Sequence, residues 1–149
     1  MIKPLLDKVK VSANRWGENL EPPANNSELQ DFLDRVWEIF AVRLPTQYEN
    51  FLQIVNGLEF NGLIIYGTKN SETNHDASSL DLFEMNEVFK DSLRASNLDV
   101  IVIGEDSTGL LTYDINTKQF QFRDRIGLDR VEPFSSFEEM LKVELDKVM

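Results

Sequence analysis

Two adjacent carboxylates, Glu105 and Asp106, lie within Gly104-Glu105-Asp106-Ser107-Thr108-Gly109 and are the groups in this chain best placed to do chemistry. General acid/base or glycosidic catalysis needs two carboxyl groups about 5–10 Å apart facing one substrate. Neighbours on a strand point to opposite faces, so a working pair joins Glu105 to Asp124 or Glu59 across a sheet. The segment lacks the Lys of a phosphate-binding loop and leads into a strand-like run instead of a helix. It also lacks the later bidentate Glu of a calcium loop. His75, the single histidine, sits among polar residues with no ligand spacing and no nucleophile beside it, and there is no cysteine. No metal, no cofactor and no enzymatic activity are therefore expected. Trp16, Trp37 and Phe40 offer aromatic surface for a ligand cage, but Trp37 and Phe40 fall on a helical stripe and are assigned to the core.

Charge supplies a second kind of chemistry. Twenty-six acidic residues face 15 basic ones, for a formal net charge of −11. Such a field repels nucleic acid, whose binding rests on neutralising phosphates with Lys and Arg, and it attracts a basic protein. Between Ser71 and Asp106 stand nine acidic residues (Glu72, Asp76, Asp81, Glu84, Glu87, Asp91, Asp99, Glu105 and Asp106) against Lys90 and Arg94. Partner binding is placed on Glu84, Glu87, Asp91 and the loop residues Glu105, Asp106, Ser107 and Thr108. The competing reading makes several of these helix caps or a solvated helix face. For the loop itself, that reading is a turn in which Asp106 accepts nearby backbone N–H groups and Gly109 takes positive φ.

The elements that must position these groups are legible from periodicity. Leu29, Phe32, Leu33, Val36, Trp37 and Phe40 recur at offsets 0, 3, 4, 7, 8 and 11, a helical stripe, with Ser27 and Gln30 as a capping box. A shorter helix from about Pro4 to Arg15 precedes the turn-rich Glu21-Pro22-Pro23-Ala24-Asn25-Asn26. A third helix opens with Pro45 in its first turn, presents Tyr48, Phe51, Leu52 and Val55 on one face, and stops at Asn56-Gly57. Leu58-Glu59-Phe60 and Leu63 to Tyr66 then flank Asn61-Gly62, the strongest short-range hairpin signal.

A helix from about Leu82 to Ala95 is capped by Asp81 with Glu84 and carries Leu82, Met85, Val88 and Phe89 on its apolar side. Val100-Ile101-Val102-Ile103-Gly104 reads as a central strand buried on both faces. It leads through Glu105–Gly109 into Leu110 to Ile115, and Asn116-Thr117-Lys118 turns the chain into Gln119 to Arg123, where alternating Phe120 and Phe122 mark a one-sided strand. The last helix starts at Ser135 or Ser136 and lines up Phe137, Met140, Leu141, Leu145 and Val148. Residues 1–149 thus make one α+β domain, a mainly antiparallel sheet with four to five helices on one face and flank.

Leu44-Pro45-x-x-Tyr48-x-x-Phe51-Leu52, followed by Asn56-Gly57 and a hairpin of aromatic and aliphatic residues, resembles the signature of the SUKH superfamily. Trp37 on the preceding helix and Gly104-x-Asp106-x-x-Gly109 downstream match in the same order, so the likeness spans roughly residues 28–145. Leu110 departs from it, since many members carry Asp or Asn after that glycine. The resemblance implies noncatalytic protein-binding modules: immunity proteins that neutralise secreted toxins, often nucleases, and regulators of cell-wall glucan synthesis. A cognate toxin with a basic surface is the expected partner, with a regulatory scaffold and a carboxylate-dependent hydrolase as alternatives. Charges at positions 3, 7 and 8 interrupt any signal-peptide core, and no run reaches the roughly 18–20 apolar residues of a membrane span, so a cytoplasmic protein is expected.

Overall fold

The strongest local signal behaves as expected. In the computed structural model, which describes residues 2–73 and 79–149, Asn61 and Gly62 both take positive φ (49° and 87°) and close a tight hairpin. Its strands, β1 (Leu58–Phe60) and β2 (Leu63–Ile65), pair antiparallel. β3 (Val100–Glu105), β4 (Gly109–Asp114), β5 (Gln119–Asp124) and β6 (Val131–Pro133) follow. Together they form a six-stranded antiparallel meander in the order β1-β2-β3-β4-β5-β6. Edge strand β6 escapes the sequence patterns: its three residues are all exposed, and Pro133 removes a ladder donor, which an edge tolerates.

Five helices complete an α+β fold: α1 (Ile2–Arg15), α2 (Asn26–Phe40), α3 (Thr46–Leu52), α4 (Leu82–Ala95) and α5 (Phe137–Val148). α1, α3 and α5 pack on one another, and α5 lies against β2 and β5. Phe137 at its start joins Tyr48, Phe51 and Phe120 in an aromatic cluster with ring centroids 5.3–5.5 Å apart. The Tyr48 hydroxyl, fully buried, donates to the Tyr66 carbonyl and so ties α3 to the end of β2. Among the described residues no helix is long and apolar enough to cross a membrane.

Several local expectations are corrected. The cap of α2 is Asn25, two residues before Ser27: its side chain accepts the Glu28 N–H at 2.8 Å while the Glu28 carboxylate accepts the Asn25 N–H at 3.0 Å. Asn25 and Glu28 have the same three-residue spacing as Ser27 and Gln30, and theirs is the box that forms. Pro45 is the residue before α3, not its first turn. Gly57 has φ of 95° but lies five residues past the end of α3, so it opens β1 and does not stop the helix. Asn56 beside it accepts the Thr68 N–H and donates to the Thr68 hydroxyl, both at 2.8 Å, which ties the start of the hairpin to the chain leaving it.

Trp37 is not core. It is 61% exposed, although Phe32 and Val36 on the same helix are buried. Of the six apolar positions on α2, Leu29, Phe32 and Val36 are buried, Leu33 and Phe40 are partly buried and pack against the core, and Trp37 alone stands in solvent. On α4 the buried residues are Leu82, Phe83, Asn86 and Leu93, and Val88 is 64% exposed. β5 is closed on both sides, not one: Gln121 and Arg123 are buried opposite Phe120 and Phe122, and the Arg123 guanidinium donates to the Leu128 carbonyl and to Gln121 Oε1.

Candidate functional site

The acidic residues singled out from the sequence separate into two structurally different groups. Glu84, Glu87 and Asp91 project from α4 and are exposed. The helix that carries them is held against the sheet by Asn86. Its Nδ2 donates to the Val102 and Leu82 carbonyls and its Oδ1 accepts the Val102 N–H, all at 2.8 Å. β2 pairs with β3 only at Gly104 and Glu105, with a further bond from the Tyr66 N–H to Ile103. Asn86 thus supplies the bonds a missing strand would have made to buried Val102. Pattern reading missed this residue because it sits on the inward side of an otherwise apolar face, where a lone amide is the available signal.

Asp81 is the cap of α4, as expected, and its Oδ1 accepts the N–H groups of Phe83 and Glu84. Around it α4 carries mixed charge: Glu87 pairs with Lys90 at 3.4 Å and Glu84 accepts from Asn70 at 3.4 Å. Asp91 is exposed on the same helix, one turn beyond Glu87. Between α2 and α4 opens a groove of about 950 Å³, into which Ile39 from one helix and Phe83 and Val88 from the other contribute apolar surface.

The β3–β4 turn tells a different story. Asp106 is only 7% exposed, and its Oδ1 accepts the Thr108 N–H and hydroxyl and the Gly109 N–H at 2.7–2.8 Å. Of the loop residues only Ser107 and Thr108 face outward. Gly109 does not take positive φ. It is a strand residue whose missing Cβ would lie 2.3 Å from the Arg123 carbonyl oxygen, and at Gly104 the same test meets the Ile64 carbonyl oxygen at 2.3 Å. Both glycines serve close approach between strands.

Glu105 is half-buried. It accepts the Tyr66 hydroxyl at 2.6 Å and lies 3.7 Å from Arg125, which also donates to the Asp106 carbonyl at 2.9 Å. The register places Glu59, Ile64, Glu105, Leu110 and Arg123 in one row across the sheet, so Glu59 and Glu105 share a face. Burial raises the Glu59 pKa, and the charges of Glu105, Glu18 and Glu21 add to the shift. Asp124 pairs with Gly109 and falls on the opposite face, which removes the Glu105–Asp124 pairing.

Beneath the turn lies a group the sequence reading did not find. Glu144 of α5 is fully buried beside Asp106, with Lys147 Nζ 3.3 Å from its Oε1 and 3.9 Å from Asp106 Oδ2. Burial pushes the Glu144 carboxyl up to about 7, and its hydrogen bond with Asp106 and that neighbour's charge add to the rise against Lys147. Burial would also raise Asp106, but hydrogen bonds from Thr108, Glu144 and Gly109 outweigh it and hold that carboxyl below its usual range. Glu144 Oε2 meets no donor. Carrying the proton there converts an unsatisfied acceptor into a donor toward Asp106. A charged residue within the stripe Phe137, Met140, Leu141, Leu145 was the signal available.

His75 and Asp76 lie outside the described residues. Among the described residues, no group of three or more His, Asp or Glu side chains is arranged to hold a metal ion. Trp16 is 80% exposed. No protein-family model and no curated protein sequence matches the chain.

Proposed function

We propose that this protein is a noncatalytic binding module that neutralises a basic protein partner, in the manner of an immunity protein with its cognate toxin. The observation that carries this reading is the row of exposed carboxylates Glu84, Glu87 and Asp91 on one rigidly mounted helix of a chain whose net charge is −11. Fixed acidic groups on a firm scaffold accelerate encounter with a cationic surface without any chemistry of their own. The likeness to the SUKH superfamily at Leu44–Leu52, Asn56-Gly57 and Gly104–Gly109 points the same way. Carboxylates in the β3–β4 turn contribute less on this reading, because Asp106 holds its own turn and Glu105 holds Tyr66.

Co-expression with the products of neighbouring genes, followed by capture at low salt, tests it. A secreted, basic, toxin-like protein is expected, with an association rate that falls at least tenfold between about 20 and about 300 mM salt. Recovery of only cytoplasmic envelope-synthesis proteins would replace this reading with a regulatory scaffold. Turnover of a glycan or ester that is lost in Glu105→Gln would replace it with a hydrolase using Glu59 and Glu105.

A further inference from the structure

The sheet ends at β6, and the hydrogen-bonding phase of that strand decides what its outer edge offers. The Phe134 N–H donates to the Phe120 carbonyl at 2.9 Å, and the Asp124 N–H donates to the Arg130 carbonyl at 3.1 Å. With Glu132 opposite Phe122, these residues are the hydrogen-bonded pairs of the β5–β6 ladder, so the backbone groups of Arg130, Glu132 and Phe134 face β5. Those of the alternate residues, Val131 and Pro133, point away from the sheet. Pro133 has no N–H to present there, which leaves Val131 as the residue of β6 that turns both a donor and an acceptor outward. All three β6 residues are exposed, Val131 by 37%.

An edge of this kind either pairs with another strand or is protected from doing so, and proline and charge are common protections. β6 has both, but their placement closes some registers and leaves one open. A second copy of β6 can approach antiparallel about a two-fold axis. Centred on Pro133, such a pair has no donor at the axis. Centred on Glu132 it brings two carboxylates together, and centred on Arg130 two guanidinium groups. Centred on Val131, the two valines exchange a pair of N–H···O=C bonds, and Arg130 of each copy lies opposite Glu132 of the other. Arg130 and Glu132 already share one face of β6, where they pair at 3.0 Å, so the two-fold converts an ion pair within one strand into an alternating square of four charges.

We infer that β6 is a self-association edge, to which a second copy of this chain adds its own β6 antiparallel with Val131 opposite Val131. Each copy offers the same patch, as a closed two-fold interface requires. The net charge of −11 on each copy opposes approach at long range, and an edge of three residues buries far less than the roughly 1,600 Å² of a standard interface, so the dimer is weak and forms where salt screens the repulsion. β6 lies three strands, about 14 Å, from β3, against which Asn86 mounts α4. The edge and the carboxylates of α4 are therefore separate surfaces, and this inference stands independently of the binding reading.

Sedimentation equilibrium of the full-length protein from about 10 μM to about 1 mM, in about 150 mM salt, reads the association. A monomer–dimer equilibrium with a dissociation constant of about 0.1–1 mM is expected. Arg130→Glu and Glu132→Arg, each alone, set like charges opposite one another and should weaken it at least tenfold. The double variant Arg130→Glu/Glu132→Arg should restore it to within about threefold, and an equimolar mixture of the two single variants should form a heterodimer, because each supplies the charges the other lacks. Both positions are exposed, so the thermal midpoints should not move. In a mixture of isotope-labelled and unlabelled native protein, an intermolecular nuclear Overhauser effect between the α-protons of Arg130 and Glu132 is expected, since these residues form a closely spaced non-hydrogen-bonded pair in this register. A monomer at about 1 mM, association indifferent to the single reversals, failure of the double variant to restore it, or a dimer without the Arg130–Glu132 contact overturns the inference. Protection of the β6 amides by a different captured protein, with no self-association, also overturns it and assigns the edge to that partner.

Discussion

Replacing Glu144 by glutamine isolates a single buried titration. In the native protein the Glu144 carboxyl is fully buried, with a pKa raised from 4.5 to about 7 by burial and by Asp106. Between those values the folded state holds a proton that the unfolded chain has released, so stability conferred by this group is complete below about pH 4.5 and is lost as pH rises through about 7. Each pKa unit corresponds to about 1.4 kcal/mol, so the shift from 4.5 to about 7 has a full effect of about 3.5 kcal/mol; solvent screening at the partly exposed Lys147 lowers this to about 1–3 kcal/mol. Asp106 works in the opposite sense: its lowered pKa contributes stability above its unfolded value that is lost only as pH falls further, outside this window. The glutamine side chain of Glu144→Gln cannot titrate, and its amide can donate to Asp106 as the protonated carboxyl does. Urea unfolding of both proteins at pH 5, 6, 7 and 8, at constant ionic strength, measures the difference. Unaltered protein should be as stable as Glu144→Gln, or more so, at pH 5 and less stable by about 1–3 kcal/mol at pH 8. A difference constant to within about 0.5 kcal/mol across this range would refute the buried carboxyl pair.

Asn86→Ala removes three hydrogen bonds and leaves the buried Val102 N–H and C=O unsatisfied, so a loss of about 2–4 kcal/mol is expected in urea unfolding, with faster hydrogen exchange at Val102. Gly109→Ala drives a methyl to 2.3 Å from the Arg123 carbonyl oxygen and to 2.6 Å from the Phe122 ring; a destabilisation of at least about 2 kcal/mol is expected by thermal unfolding. Trp37→Ala, by contrast, should change stability by no more than about 0.5–1 kcal/mol, because most of that ring is already in water; a loss of about 3 kcal/mol or more would restore it to the core. Glu84→Gln, Glu87→Gln and Asp91→Asn together should leave unfolding nearly unchanged and slow association with a basic partner several-fold at low salt, as read by stopped-flow fluorescence.

Much of the architecture is written in short-range chemistry. Asn61-Gly62 specifies a turn that few other pairs tolerate, Asp81 reaches N–H groups two and three residues away, and the β-branched run Val100–Ile103 is the central strand. Such features are decided within a few residues, and neither packing nor distant neighbours is needed to read them. Periodicity likewise supplies the number and order of the helices, because an apolar stripe repeats whatever it packs against. Where two local solutions are equally good, as with Asn25/Glu28 and Ser27/Gln30, the sequence by itself does not choose between them.

Direction and partnership belong to the tertiary structure. Trp37 and Phe32 share one helix and one stripe, yet Phe32 is buried against Phe83, with centroids 5.3 Å apart, while Trp37 is mostly exposed. Glu105 and Asp106 read from the sequence as partner-binding residues at a hairpin tip; what turns them inward is Tyr66, 39 residues away from Glu105 in the chain, and α5, which brings Glu144 and Lys147 under the turn. Composition alone establishes that this chain is acidic. Which carboxylates hold the fold and which remain free to meet another molecule depends on contacts between residues far apart in sequence, and those exist only once the sheet and its helices have closed.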